Sequence, residues 1–264
     1  MAGSAGQPVP EEFLQLAFSL AKVSSEIVNA AYLDSRLRVE QKNDRTPVTE
    51  ADRNAEEAMR EAIRKVAPSH GVIGEEFGRE KTDAEWVWVL DPIDGTLAFV
   101  HGVPLFTTLI GLLHEGEPVL GVIHQPTQNL LCHNDGEACF LNNRPVRCSD
   151  PTPLDECVLL CTDFENASRH RTTQAHRFRE LCSQVKISRT WADGYGYLLL
   201  AAGRAHIMCD PILNEWDVLP VIPIVRASGA MITDWDGREG LKLEGAIAAP
   251  PAIHNEVMRF LHSN

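Results

Sequence analysis

Apolar positions recur first at helical spacing, then in short runs, then in an alternation of the two. Residues 11–32 place Phe13, Leu16, Ala17, Leu20 and Ala21 three or four apart, which predicts one apolar face of an amphipathic helix. In "TPVTEADRNAEEAMREAIRKV" Thr49 precedes Asp52 by three positions, as in a capping box, and Ala51, Ala55, Ala58, Ile63 and Val66 form a stripe. A second helix therefore starts near Glu50. Short apolar runs follow at "GVIGEE", "WVWVLDPI", "LFTTLIGLLH", "PVLGVIH" and "ACFL", separated by turn signals such as "HEGEP" and "LNNRP". They predict a sheet. From about residue 145 strands and helices alternate: "CVLLC", a polar helix near 173–184, a Tyr/Leu-rich segment at 194–203, "HIMCD", a helix from about 216, "AMITDW", "AIAAP" and a last helix near 252–262. The change of rhythm predicts an α+β part over 1–145 and an α/β part over 146–264, with no repeat or low-complexity linker between them.

Carboxylates interrupt this pattern at the ends of elements. Glu75 and Glu76 close one apolar run, Asp91 and Asp94 close "WVWVL", and Asp217 opens an apolar helical pattern after Trp216. Hard divalent cations such as Mg²⁺ take oxygen ligands, one or two carboxylates each with waters and phosphate oxygens. Glu75, Asp91, Asp94 and Asp217, if they converge, form such a set; without cations they would repel one another and bind protons. Gly95-Thr96 adds a glycine turn opening onto a helix, whose exposed N–H groups can hold a phosphate. Taken singly, "DG" reads more simply as a tight turn, "GEE" as a solvated strand end, and Trp216-Asp217 as a packed ring beside a helix cap.

Composition narrows the partners. With 37 acidic against 24 basic residues the formal charge is −13, which argues against nucleic acid or an anionic membrane surface and favours a small, cationic or metal-linked ligand. No stretch has the length and apolarity of a membrane span. The 7 cysteines are scattered, without C-x-x-C pairs, and the N-terminus lacks the basic and apolar segments of a secretory signal. Reduced thiols and a cytoplasmic location are the expectation, or an organelle after loss of a targeting peptide.

In order, "TPVTEAD" (46–52), "IGEE" (73–76), "WVLDPIDGT" (88–96), "WDV" from 216 and "SGAMITDWDG" ending at 237 resemble the inositol monophosphatase superfamily over nearly the whole chain. "DPIDGT" is the most specific of these elements. The resemblance implies a layered αβαβα fold, a homodimer, and hydrolysis of phosphate monoesters with two or three Mg²⁺ ions per site. It also implies that Glu75, Asp91, the carbonyl of Ile93, Asp94 and Asp217 are metal ligands. Catalysis would then involve Glu75, with Asp52 and Thr96, hydrogen-bonded to each other, orienting and deprotonating a water for direct in-line attack. Gly95 and Thr96 would hold phosphate oxygens.

The second part bears on the substrate. "WADGYGYLLLAAGRAHIMCDPILNEWDV" is similar to the histidinol-phosphatase branch of the superfamily, though Ala192, Gly194 and His206 stand where that branch usually has Gly, Cys and, in many relatives, Asp. Histidinol phosphate, an intermediate of histidine biosynthesis, carries a protonated amine and an imidazole beside its phosphate. A site for it wants acidic groups beyond the metals. Asp193 and Asp210 are candidates, Asp210 by its match to the family's polyol-binding carboxylate, alongside Asp94 and the mouth position Leu97. Tyr195 and Tyr197 read as packing residues, and His101 and His206 as isolated histidines. A phosphatase of inositol 1-phosphate or another sugar or polyol phosphate is the rival within the class. From another class comes an inactive metal-binding regulatory module, which would bind Mg²⁺ and release no phosphate.

Overall fold

The computed structural model describes residues 9–34, 39–41, 47–171 and 173–263; residues 1–8, with the N-terminal stretch read above, and Thr46 of "TPVTEAD" lie outside them. Helices α1 (Glu11–Ala31) and α2 (Glu50–Val66) flank a ribbon of β1 (Val39–Gln41) and β2 (Pro47–Thr49). Next come β3 (Gly71–Gly74), β4 (Gly78–Glu80), β5 (Trp86–Asp94), α3 (Thr96–Val100), β6 (Thr107–His114), β7 (Glu117–Gln125), β8 (Leu130–Asn134), β9 (Cys139–Leu141) and β10 (Arg144–Val146). The remainder alternates through β11 (Val158–Cys161), α4 (Phe164–His170), α5 (Ala175–Gln184), β12 (Ile187–Arg189), α6 (Gly194–Ala201), β13 (Ile207–Asp210) and α7 (Glu215–Val218). It closes with α8 (Val221–Ala227), β14 (Met231–Thr233), β15 (Ala246–Ala249) and α9 (Pro251–Leu261).

The continuous apolar run of β5 follows from its being covered on both faces. Side chains alternate along a strand: Trp88 and Leu90 meet Leu20, Met59 and Ile63 of α1 and α2, whereas Val87 and Val89 face Leu198 of α6 and Ile224 of α8. The strand lies inside an eight-stranded sheet of order β10-β9-β8-β7-β6-β5-β3-β4. A five-stranded sheet, β12-β11-β13-β15-β14, forms the second layer. Met208 and Ala248 of that sheet pack on α6 and α8, while Ile207, Cys209 and Ile247 on its other face meet Phe178 of α5 and Val257 of α9. The result is the layered αβαβα sandwich.

Three differences from the expected elements have physical causes. The helix expected from about 216 is broken into α7 and α8 around Leu219 and Pro220. On α2 the buried face contains Met59, Glu56 and Arg60, while Val66 is 67% exposed and Ala58 only half-buried. The short β10 and β12 and helix α4 carry too few apolar residues to stand out by periodicity, and the apolar start of β8, Leu130–Cys132, is too short to do so. The "LNNRP" turn does what was expected, with Asn142 and Asn143 both at positive φ (48° and 62°) between β9 and β10.

The break at Pro220 couples the two halves of the chain. Gly111 and Gly121 are paired across β6 and β7, and a β-carbon at Gly121 would lie 1.9 Å from the Pro220 carbonyl oxygen. Two glycines thus make a notch in the large sheet for the α7–α8 corner. Through it the sheet that ends in Asp91 and Asp94 sets the position of Asp217.

Candidate active site

In an unbroken strand, residues three apart point to opposite faces. The pairing of β5 with β6 shifts between Asp91 and Asp94, where Pro92 has no N–H to give the ladder. The irregularity brings both aspartates to one side. One carboxylate oxygen from each of Asp91, Asp94 and Asp217 lies within 4.8 Å of the others. A buried chain holds the strand end in place: Ser24 Oγ meets Thr108 Oγ1 at 3.0 Å, and Thr108 donates to the Pro92 carbonyl at 2.8 Å.

Local capping rules aim two of the acids. Asp52 is the N3 residue of α2 and accepts, on Oδ2, the N–H of Thr49 at 2.8 Å and its hydroxyl at 2.6 Å. Asp217 is the N3 residue of α7 and accepts from Asn214 N–H at 2.7 Å and Nδ2 at 3.2 Å. Asp94 accepts from Thr107 Oγ1 at 3.2 Å and from the Gly194 N–H. A β-carbon at residue 194 would sit 2.6 Å from Asp94 Oδ2, so the glycine that replaces the branch's usual cysteine matches the tight approach. Glu75 follows β3, its N–H donating to Leu90 at 3.2 Å, and its carboxyl lies close enough to Asp91 to perturb it.

Asp52, Asp91, Asp94 and Asp217 are each pushed toward the protonated form. Burial raises Asp91 well above the usual range, and Glu75, Asp94 and Asp217 raise it further. Burial does the same for Asp94, reinforced by Asp193 and Asp217. Asp217 and Asp52 are each pushed up to about 7, mainly by burial and against the hydrogen bonds that favour their charged forms. An all-oxygen donor set at this spacing, electrostatically frustrated on its own, fits a hard divalent cation.

Two expected features are arranged differently. Thr96 and Asp52 were expected to bond to each other; instead Thr49 occupies Asp52, and the Thr96 hydroxyl donates to the Ile93 carbonyl at 3.1 Å. Helix α3, which Gly95 opens in a left-handed conformation (φ 83°, ψ 41°), has only 5 residues, so its macrodipole adds little to any anion cradle. Leu97 is 64% exposed. His206 is structural: its Nδ1 accepts the Val158 N–H at 3.1 Å.

Beside the cluster, a cavity of about 50 Å³ is lined by Asp94, Asp193, Asp210, Asp217, Tyr197 and Ile212 among others. Asp210, at the end of β13, is buried and raised well above the usual range by burial, with Asp193 adding to the shift. Asp193 precedes α6 with φ 56° and ψ −152°, a conformation that ordinarily belongs to glycine. It makes no capping bond there; its Oδ2 would lie 2.8 Å from a β-carbon at Gly95. Burial pushes it up to about 6. Tyr197 packs in the core, as expected of a packing residue, yet its buried hydroxyl has no hydrogen-bond partner among the described residues. That orphan hydroxyl at an acidic cavity is the feature apolar spacing hides.

A strand end, two capped helix starts and an acidic oxygen cluster between stacked sheets make an arrangement suited to metal-assisted hydrolysis. The inositol monophosphatase family matches residues 9–263, and the chain belongs to it. A histidinol-phosphatase of Chlorobaculum parvum is 37% identical over 242 residues, 91% of this chain and 93% of that one. The extragenic suppressor protein SuhB of Bartonella henselae superposes with a TM-score of 0.89 at 26% identity, over 96% and 99% of the two chains. An inositol monophosphatase of Zymomonas mobilis does so with a TM-score of 0.84 at 30% identity, over 96% and 98%. The chain is therefore a phosphatase of this family. Among the described residues no helix is long and apolar enough to cross a membrane.

Proposed function

We propose that the chain is a Mg²⁺-dependent histidinol-phosphate phosphatase of histidine biosynthesis, cytoplasmic and homodimeric, holding two or three ions per site. The observation that carries the substrate reading is the cavity that Asp193, Asp210 and Tyr197 line together with Asp94 and Asp217. Such a lining is suited to a protonated amine or imidazolium placed next to a phosphate, because buried carboxylates gain most from a cation that also fills their hydrogen bonds.

Glu75, Asp91, Asp94, Asp217 and the Ile93 carbonyl would hold the ions, which supply Lewis acidity toward the attacking water and the leaving oxygen. The remaining roles fall to this chain's own groups. With its proton committed to Ile93, the Thr96 hydroxyl presents lone pairs and so can accept a hydrogen bond from a water, fixing the water's direction. Asp52 takes both Thr49 bonds on Oδ2, so Oδ1 is the oxygen that would meet that water; a carboxylate pushed up to about 7 is well matched to receive a proton near neutral pH. The N–H groups at Gly95 and Thr96 would meet phosphate oxygens. Residues 1–145 carry most of this machinery, and 146–264 supply Asp217 and the recognition cavity.

Inositol 1-phosphate is the competing substrate, since Asp210 could equally accept from a polyol hydroxyl. Phosphate release measured with Mg²⁺ on both esters tests the reading: histidinol phosphate is expected to lead in kcat/KM, and a ranking with it last overturns the assignment. Glu75→Gln is expected to remove nearly all Mg²⁺-dependent release.

A further inference from the structure

The β3–β4 hairpin that carries Glu75 is fastened from inside by an ion pair on α2. Glu56 and Arg60 have side chains only 0% and 5% exposed, with Nε 2.8 Å from Oε1. Charges buried to this degree require partners, and among the described residues every other partner they have belongs to the hairpin. Glu56 Oε2 accepts the Glu76 N–H at 2.7 Å and Oε1 that of Phe77 at 3.2 Å, while Arg60 Nη2 donates to the Gly78 carbonyl at 2.5 Å. Arg60 also lies 3.7 Å from Glu80. Gly74 permits the approach, since a β-carbon there would lie 2.0 Å from Glu56 Oε1. Glu75 is thus bracketed: the residue before it rests on the Glu56 carboxylate, and the residue after it is hydrogen-bonded to it. The same helix carries Asp52 in its first turn, one turn before Glu56.

We propose that Glu56 and Arg60 are positioning residues for metal binding, setting the place of Glu75 relative to Asp91 and to Asp52 through a single rigid helix. The proposal rests on Glu75 being a metal ligand. Because the pair is neutral as a whole, its action is geometric, passing through the backbone of the turn.

The test is Mg²⁺ binding by calorimetry on the folded full-length chain, in wild type, Glu75→Gln, Glu56→Gln and the double variant. Glu56→Gln is expected to weaken Mg²⁺ binding at least about tenfold, as loss of a group orienting a ligand does. In the Glu75→Gln background the same change is expected to add less than about twofold, because two residues acting through one contact are not additive. Wild-type affinity in Glu56→Gln, or an equal loss in both backgrounds, overturns the proposal. Glu75→Gln with unchanged affinity overturns the ligand reading and this one with it. An impaired Glu75→Gln beside an unimpaired Glu56→Gln overturns only this one. If Arg60 left unpaired prevents folding, Glu56→Asp keeps the charge, withdraws the carboxylate from the Glu76 and Phe77 N–H groups, and is judged by the same criteria.

Discussion

The two sheets meet the site in different ways. The large sheet sends one strand end, where Asp91, Ile93 and Asp94 lie within four consecutive residues and a single irregularity turns them together. The second part sends Asp193, Asp210 and Asp217 from the start of α6, the end of β13 and the start of α7. One contribution is contiguous and braced by the core; the other is assembled from separate elements over the middle helices. The contrast suggests a division of labour: the invariant part of a phosphate ester is handled where the geometry is stiffest, and the variable part where elements can be exchanged without disturbing it.

The largest expected effect breaks the contiguous contribution. Asp91→Asn is expected to lower kcat/KM by about 10³-fold or more, roughly 4 kcal/mol of transition-state stabilisation. Its fold would survive, since burial already pushes the acid toward a neutral form. Steady-state phosphate release with a circular dichroism control measures this, and activity within tenfold of wild type would refute it. Next is the joint between the contributions. Gly121→Ala is expected to cost about 1–3 kcal/mol in thermal unfolding, because the new methyl meets a backbone oxygen at 1.9 Å rather than a side chain that can turn away. Weaker Mg²⁺ binding is expected with it, as α7 carries Asp217; wild-type stability and affinity together would show that the notch is slack.

How legible each contribution was follows from the same contrast. Asp91, Asp94 and Gly95 stand at the end of an apolar run, so contiguity alone exposes them. The capping box at Thr49 was equally local and formed as read. Asp217 stands out locally by opening an apolar pattern after Trp216, whereas Asp193 and Asp210 emerge only from ordered motifs, because nothing in their own neighbourhoods reveals which ends converge. Glu56, Arg60 and the Tyr197 hydroxyl stayed hidden for a further reason. A helical stripe is read by assuming that charge faces water, and the rule fails where the buried surface to be covered is itself backbone with bonds to satisfy.

Asp193 and Asp210, the part of the assembled contribution that lies outside the carboxylate cluster, are expected to change preference more than rate. Asp193→Asn and Asp210→Asn are each expected to lower the kcat/KM ratio of histidinol phosphate over inositol 1-phosphate by about 10-fold or more, the scale of a lost charge-assisted hydrogen bond. Equal losses on both esters would assign these acids to the chemistry instead. The pH dependence separates the contributions from the metal side. Folded-state values raised above 3.8 mean that the metal-free fold binds protons more tightly than the unfolded chain. This contribution to stability is therefore full below about 3.8 and lost as pH rises through about 7. Mg²⁺ held by Asp217 would have to displace its proton, so the stabilisation it confers is expected to grow over that window and level off above it. Unfolding curves with Mg²⁺ and with chelator check this, and a Mg²⁺ increment independent of pH would contradict it.

The smallest expected effect lies at the mouth, one residue past the site proper. Leu97 is 64% exposed and sits in the first turn of α3, directly after Thr96. It can donate nothing to a phosphate, and α3 is too short for its dipole to compensate. On the proposed reading, affinity for the ester then rests on the metals and the cavity. Leu97→Lys introduces a mobile cation whose attraction for a phosphate is screened by water and opposed by no buried group. Its effect is expected to be a few-fold lower KM, of the order of the roughly 1 kcal/mol that exposed ion pairs reach at most, with the Mg²⁺ activation midpoint unchanged. A shift in the midpoint instead would mean that residue 97 feels the ions directly, and that the stiff contribution extends beyond the end of β5 into α3.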